Sequence, residues 1–125
     1  MSAPAAMPKI VLVCGSRRWW SHRTIISCLR SAKAQGFTHV VHGGSRGADA
    51  VAAFEAKHMG LKVIAVPALW KRYGKEAGPI RNRSMLELRP QLVLAFTSSL
   101  SRSKGTAHMV SIARNAGIPV RVFHQ

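Results

Sequence analysis

His42-Gly43-Gly44-Ser45-Arg46-Gly47-Ala48-Asp49 stands between an apolar run, residues 38–41, and an alanine-rich segment, residues 50–56. The run reads as a strand and the alanines as a helix. A strand leading into glycines and then a helix can present backbone N–H groups to an anion. Glycine lets the main chain approach a ligand closely, and a helix start adds roughly half a positive charge. Arg46 brings a full charge to the same place. The plainer reading is a tight turn with no ligand, and the rest of the chain weighs against it.

Working outward, strand and helix patterns alternate. Residues 9–14 (Lys-Ile-Val-Leu-Val-Cys) form a continuous β-branched run, the signature of a strand buried on both faces. Gly15-Ser16-Arg17-Arg18-Trp19-Trp20 follows as a polar and aromatic loop. Ser21 is a fitting N-cap for a helix to about residue 35. Ile25, Ile26, Leu29 and Ala32 fall on one face, and Gly36 stands at the expected left-handed C-cap. Strands are predicted over 38–42, 61–66, 91–96 and 118–123, with residues 61–66 again reading as buried. Helices are predicted over 48–58, from Pro79 to about 88, and over 106–115, with Ala48, Ala52 and Ala56 forming a small packing face. Residues 67–78 and 97–105 read as irregular mouth segments, and Pro79 as a first helical residue.

This order predicts an α/β protein: one Rossmann-like three-layer domain over residues 9–125, with about five parallel strands and helices on both faces. Residues 1–8 read as a flexible tail. In such a sheet, ligands bind beyond the C-terminal strand ends, where the strand order reverses. The loops opening there, with the helix starts they feed, hold Arg17, Arg18, Arg46, Lys71, Arg72, Lys75, Arg81, Arg83, Arg102 and Lys104, ten of the 19 cations. Only Asp49, Glu55, Glu76 and Glu87 oppose them, and the net charge is +15. Such a balance points to phosphorylated or polyanionic partners. Cys14 and Cys28 lack CxxC spacing and read as buried free thiols of a reducing compartment. The six histidines lack ligand spacing, so no metal is expected. No run reaches the roughly 20 apolar residues of a membrane span, and the location expected is cytoplasmic.

Four motifs together carry a family resemblance: Gly15-Ser16-Arg17; residues 42–49; Trp70 with Tyr73-Gly74-Lys75-Glu76-Ala77-Gly78-Pro79-Ile80-Arg81-Asn82; and Ala95-Phe96 with Gly105-Thr106. In order and spacing, over residues 9–123, the chain resembles the YspA-related branch of the SLOG superfamily. Wider relatives there include the LOG phosphoribohydrolases and the DNA-processing protein A family. The resemblance implies a Rossmann-like domain that binds a nucleotide or nucleotide-derived ligand, as a sensor or a processing enzyme. It also suggests a homodimer or higher homo-oligomer. LOG enzymes carry a catalytic glutamate three residues beyond the threonine of their glycine-rich loop. Here Thr106 is followed by Ala107, His108 and Met109, which argues against glycosidic hydrolysis. The acidic residues usual near Leu69 and Gln91 are also neutral, and Ser45 replaces the usual alanine.

The candidate ligand-binding residues are Gly15, Ser16, Arg17, Gly43, Gly44, Ser45, Arg46, Asp49, Trp70, Lys75, Arg81, Asn82, Gly105 and Thr106. Arg17 and Arg46 can clamp phosphate. Gly105-Thr106 offers a helix start and a hydroxyl, and Lys75 with Arg81 a second anion site. Asp49 either holds a ribose hydroxyl or steadies its own helix start, and Asn82 reads a base or caps a turn. Trp19, Trp20, Trp70 and Tyr73 stack a base or act as packing lids. His108 reads as a surface residue. Glu76 is the weak candidate acid or base should the protein be an enzyme. No cofactor is required. The leading function is a small-ligand nucleotide site, with single-stranded nucleic acid as the alternative and LOG-type hydrolysis third. The LOG-type glutamate being absent, the balance leans away from an enzyme.

Overall fold

The computed structural model describes residues 7–125, so most of the expected N-terminal tail lies outside the described residues. Five strands, β1 (Ile10–Gly15), β2 (His39–His42), β3 (Lys62–Ala65), β4 (Leu92–Phe96) and β5 (Val120–Phe123), form one sheet in the order β3-β2-β1-β4-β5. All neighbours pair in parallel, with Leu12 opposite Val41 on one side and Val93 on the other. Parallel neighbours need a crossover, and the helices supply it. Helix α1 (His22–Ala34) and α2 (Ala48–His58) cover one face; α4 (Ala77–Glu87) and α5 (Lys104–Asn115) cover the other. The chain builds outward from β1 to β3, then returns to β4. With crossovers of one hand, that reversal moves the helices to the opposite face.

The period of two along the strands sorts the core. In β1, Val11 and Val13 face α1 and α2, while Leu12 and Cys14 face α4 and α5. Likewise Leu94 and Phe96 of β4 go one way, Val93 and Ala95 the other. Ala48, Ala52 and Ala56 are fully buried, so α2 packs on the sheet through the small face read from its sequence. Ile25 and Leu29 anchor α1, each contributing about 1.5–3 kcal/mol by leaving water. Trp19 joins this core at 2% exposure, edge-on to Phe96 at 5.4 Å, with its Nε1 donating to the Ser21 carbonyl at 2.8 Å.

Several expectations are corrected. β3 is an edge strand with Lys62 and Ala65 exposed, because one flank lacks a neighbour. Residues 67–78 are largely helical: a turn of helix, α3 (Trp70–Tyr73), and a 3₁₀ turn at Gly74–Glu76 lead directly into α4. Pro79 is therefore the third residue of α4, tolerated because first-turn N–H groups have no intrahelical partner. Helix α5 starts two residues early, at Lys104. The Ser21 hydroxyl pairs with Thr24 Oγ1 at 3.3 Å and caps no backbone N–H. Cys28 is only half-buried. Among the described residues, no helix is long and apolar enough to cross a membrane.

One contact brings the loop after β2 against the loop after β1. Gly47 has φ of 76°, and a Cβ there would overlap the carbonyl of Ser16 and the backbone of Arg17. The next residue, Ala48, donates its N–H to that same Ser16 carbonyl at 3.0 Å. Gly36 also has positive φ, at 94°, yet a Cβ there meets nothing within 4 Å. Gly36→Ala should cost only the left-handed strain, about 1–2 kcal/mol, or about 5 °C in Tm. Gly47→Ala adds a backbone collision and should lower Tm by more than about 10 °C. Equal shifts in thermal melts would show that the two loops can move apart freely.

Candidate functional site

A cavity of about 540 Å³ opens beyond the C-terminal ends of the strands, where the sheet order reverses between β1 and β4. Of the residues named from sequence, Gly15, Ser16, Arg17, Gly43, Ser45, Asp49, Trp70, Arg81, Asn82, Gly105 and Thr106 line it. Gly44 and Arg46 line an adjoining hollow of about 470 Å³ that shares Arg17, Trp70 and Arg81 with the first. Lys75 and Glu76 line neither and are exposed, because the 3₁₀ turn carrying them runs along the outside of the mouth. Trp19 is core, and Trp20, 72% exposed, also lies outside both. Trp70 is half exposed and rests against Gly78, where a Cβ would stand 3.4 Å from its ring.

The glycine loop differs from expectation in one decisive respect: the N–H groups of Gly43, Gly44 and Ser45 are already taken. Asp49 Oδ2 accepts from the N–H of Gly43 at 3.0 Å and of Ser45 at 3.2 Å. His42 Nδ1 accepts from the N–H of Gly44 at 2.9 Å, which fixes any ring proton on Nε2. The loop folds around its own carboxylate as it would around a bound anion. A Cβ at 43 would collide with the Arg81 guanidinium and come within 3.1 Å of Asp49 Oδ2, so a side chain there would displace the Arg81 end group from the loop.

From this loop a chain of bonds crosses the mouth. Arg81 Nη1 donates to the Gly43 carbonyl at 2.6 Å, and its Nε to Asn82 Oδ1 at 3.1 Å. Asn82, 3% exposed, donates through Nδ2 to the Gly105 carbonyl at 3.1 Å and to His108 Nδ1 at 3.0 Å. Asn82 thus ties α4 to the first turns of α5 and caps no turn of its own. Burial, with Arg83 nearby, pulls His108 below its ordinary pKa, consistent with an Nδ1 that must accept.

The start of α5 is open by contrast. Ser103 stands at its N-cap, but its hydroxyl is paired with Thr97 Oγ1 at 2.8 Å. The N–H groups of Lys104, Gly105 and Thr106 have no partner among the described residues. Thr106 is 5% exposed and its hydroxyl also lacks a partner. No fully enclosed polar side-chain atom is left unpaired among the described residues, so that hydroxyl opens onto the cavity it lines.

Around these groups stand Arg17, Arg18, Arg81, Arg102 and Lys104, with Asp49 the one lining carboxylate. Arg17 and Arg46 have no ion-pair partner; among the described residues the one ion pair is His22 with Glu55, at 3.0 Å. Cys14, Gly78, Met85 and Ser103 also line the cavity although they were not singled out from sequence. Gly78, Arg81, Asn82 and Met85 share the spacing of one helical face, a signal that would have found two of them.

The model of the YspA, cpYpsA-related SLOG family matches residues 9–73. The chain belongs to that family. The match runs from β1 through α3 and so includes the Gly15-Ser16-Arg17 turn, the 42–49 loop and Trp70. Similarity also extends to the Gene 61 protein of Mycobacterium phage D29, 39% identical over 122 residues, covering 90% of this chain and 94% of that protein. No solved structure matches the chain.

Burial pushes the Asp49 carboxyl up from its ordinary 3.8 to about 6, against the opposing pull of the Ser45 and Gly43 N–H groups, Arg81 and Arg17. Between those values the folded protein holds a proton that the unfolded chain has released. The contribution of Asp49 to folding stability therefore falls as pH rises from about 4 to about 6, then levels. In Asp49→Asn, which keeps an oxygen for the loop N–H groups, that fall should vanish. Urea unfolding of both proteins from pH 4 to 8 checks this, and a wild-type stability rising over the window relative to the variant would overturn it.

Proposed function

We propose that this SLOG domain binds a nucleotide or nucleotide-derived phosphorylated ligand in the cavity at the sheet's reversal point. The observation that carries this reading is the charge of the lining: five cations without acidic partners surround a site whose only carboxylate is engaged with its own loop. The phosphate belongs at the open start of α5. Three free N–H groups, the Thr106 hydroxyl and Lys104 converge there, and a helix start favours an anion. This relocates the anion from the glycine loop, which the sequence favoured, to the opposite wall. Arg17, exposed and unpaired, reaches the same cavity, and the half-exposed Trp70 offers a face for a base.

A second reading, single-stranded nucleic acid, draws on the adjoining hollow with Arg46 and on exposed Lys71, Arg72 and Arg83 outside the cavity. Salt separates the two, because each phosphate neutralised on a single strand lowers log K by about 0.7 per decade of salt. Hydrolysis of the LOG type is not part of the proposal: the glutamate that LOG enzymes carry beyond the threonine is absent after Thr106, and Glu76 stands off the cavity.

In a thermal melt at about 200 mM salt, a mononucleotide-sized ligand should raise Tm while a short oligo-dT does not. Arg17→Ala should weaken that ligand more than about tenfold, since a charge-assisted contact is worth about 1.5–3 kcal/mol. It should leave the ligand-free Tm unchanged, because Arg17 makes no internal hydrogen bond through its side chain. Stabilisation by the oligomer alone would replace the pocket reading with a nucleic-acid track.

A further inference from the structure

Several hydrogen-bond acceptors that line the cavity are already engaged, and the one carboxylate oxygen that is not belongs to Asp49. The carbonyl of Gly43 is occupied by Arg81, that of Gly105 by Asn82, and that of Ser16 by the N–H groups of Trp19 and Ala48. Asn82 Oδ1 accepts from Arg81, and Ser16 Oγ from the N–H of Arg18. Asp49 spends only Oδ2 on its loop. Its Oδ1 has no partner, although the residue is 6% exposed and no fully enclosed polar atom among the described residues is unpaired. That oxygen therefore faces the cavity.

Resting on the nucleotide reading, we propose that Asp49 is a specificity-determining residue: its outward oxygen accepts a hydrogen bond from a ligand hydroxyl, so the site selects phosphorylated ligands with free sugar hydroxyls over those without. An anion is served by the five lining cations and the start of α5, and an anionic group set against Oδ1 is repelled. A neutral hydroxyl is the group that gains from a desolvated carboxylate oxygen, and a ligand lacking it leaves that oxygen buried and unpaired. The ligand is thereby held at two ends, phosphate at α5 and hydroxyl at Asp49, with the orientation set by the distance between them. A bare phosphate or pyrophosphate satisfies only one end.

The test compares four ribonucleoside 5′-monophosphates (adenosine, guanosine, cytidine and uridine) with their 2′,3′-dideoxy analogues by isothermal titration of the wild-type protein. The tightest-binding ribonucleotide should exceed its dideoxy analogue by at least about tenfold. In Asp49→Asn the loop N–H groups keep an acceptor while an NH₂ donor turns to the cavity, and the preference should shrink to within about twofold. Equal binding of ribo and dideoxy forms to the wild type overturns this proposal and leaves the nucleotide reading standing, as does a preference that survives in Asp49→Asn. Failure of all four ribonucleotides to bind overturns the nucleotide reading and the selectivity with it. The ribo-to-dideoxy comparison needs no variant, so it stands even where the substitution impairs folding.

Discussion

The bond between the Asp49 carboxylate and the N–H groups of Gly43 and Ser45 holds the mouth of this domain in shape. A glycine loop with three unmatched N–H groups near a strand end is costly unless something accepts from it, and here the acceptors come from its own chain. Once Asp49 turns inward, the Gly43 carbonyl points outward and Arg81 can donate to it. Arg81 in turn orients Asn82, and Asn82 ties the first turns of α5 to α4. A continuous path of polar contacts thus runs from the layer of α1 and α2, past the strand ends, to the layer of α4 and α5. The hydrophobic cores of the two layers lie on opposite faces of the sheet, so this path also links them at the functional end.

Charge works on top of that frame. With 19 cations and four acids, the chain has no means of neutralising its own basic groups. Glu55 is paired with His22, and Asp49 is held by backbone N–H groups and reached by two guanidiniums. Concave walls of low polarisability focus the field of the remaining cations into the space they enclose. Repulsion among them is tolerated because an exposed guanidinium keeps most of its hydration. Arg17 is exposed and Arg81 half-buried, which suits one for capturing a ligand and the other for bracing the loop.

Much of the fold was legible in the sequence because its physical cause is local. Continuous β-branched runs gave the strands of the sheet centre, and the small face of Ala48, Ala52 and Ala56 gave the packing of α2. The cluster of cations at one sheet edge followed from parallel strands alone. What was not legible depends on where side chains return to. Nothing in the spacing of Asp49 says that its carboxylate reaches back to Gly43 rather than out to a ligand. Trp19 looks like a loop aromatic until Phe96 of β4 is brought to 5.4 Å from it. The first-turn roles of Pro79 and Gly105 were displaced by two residues, because a helix start is fixed by which N–H groups are left without partners and not by the residue that best tolerates the place.

The two helix starts at the mouth are alike in position and differ in charge, and on the proposed reading that contrast would orient a ligand. The start of α2 already carries a carboxylate in its first turn, and the Gly43, Gly44 and Ser45 N–H groups of its approach loop are taken by internal bonds. A Ser103 cap would take one of the open N–H groups at the start of α5, but the Ser103 hydroxyl is drawn to Thr97 instead. Its dipole end thus remains uncompensated, beside Lys104 and below Arg102 in the sequence of the loop. An anionic group placed at α2 meets the Asp49 oxygen, whereas at α5 it meets only donors. The same molecule reversed in the cavity would put its charge against a carboxylate and its hydroxyls against cations, so electrostatics alone discriminates between the two orientations.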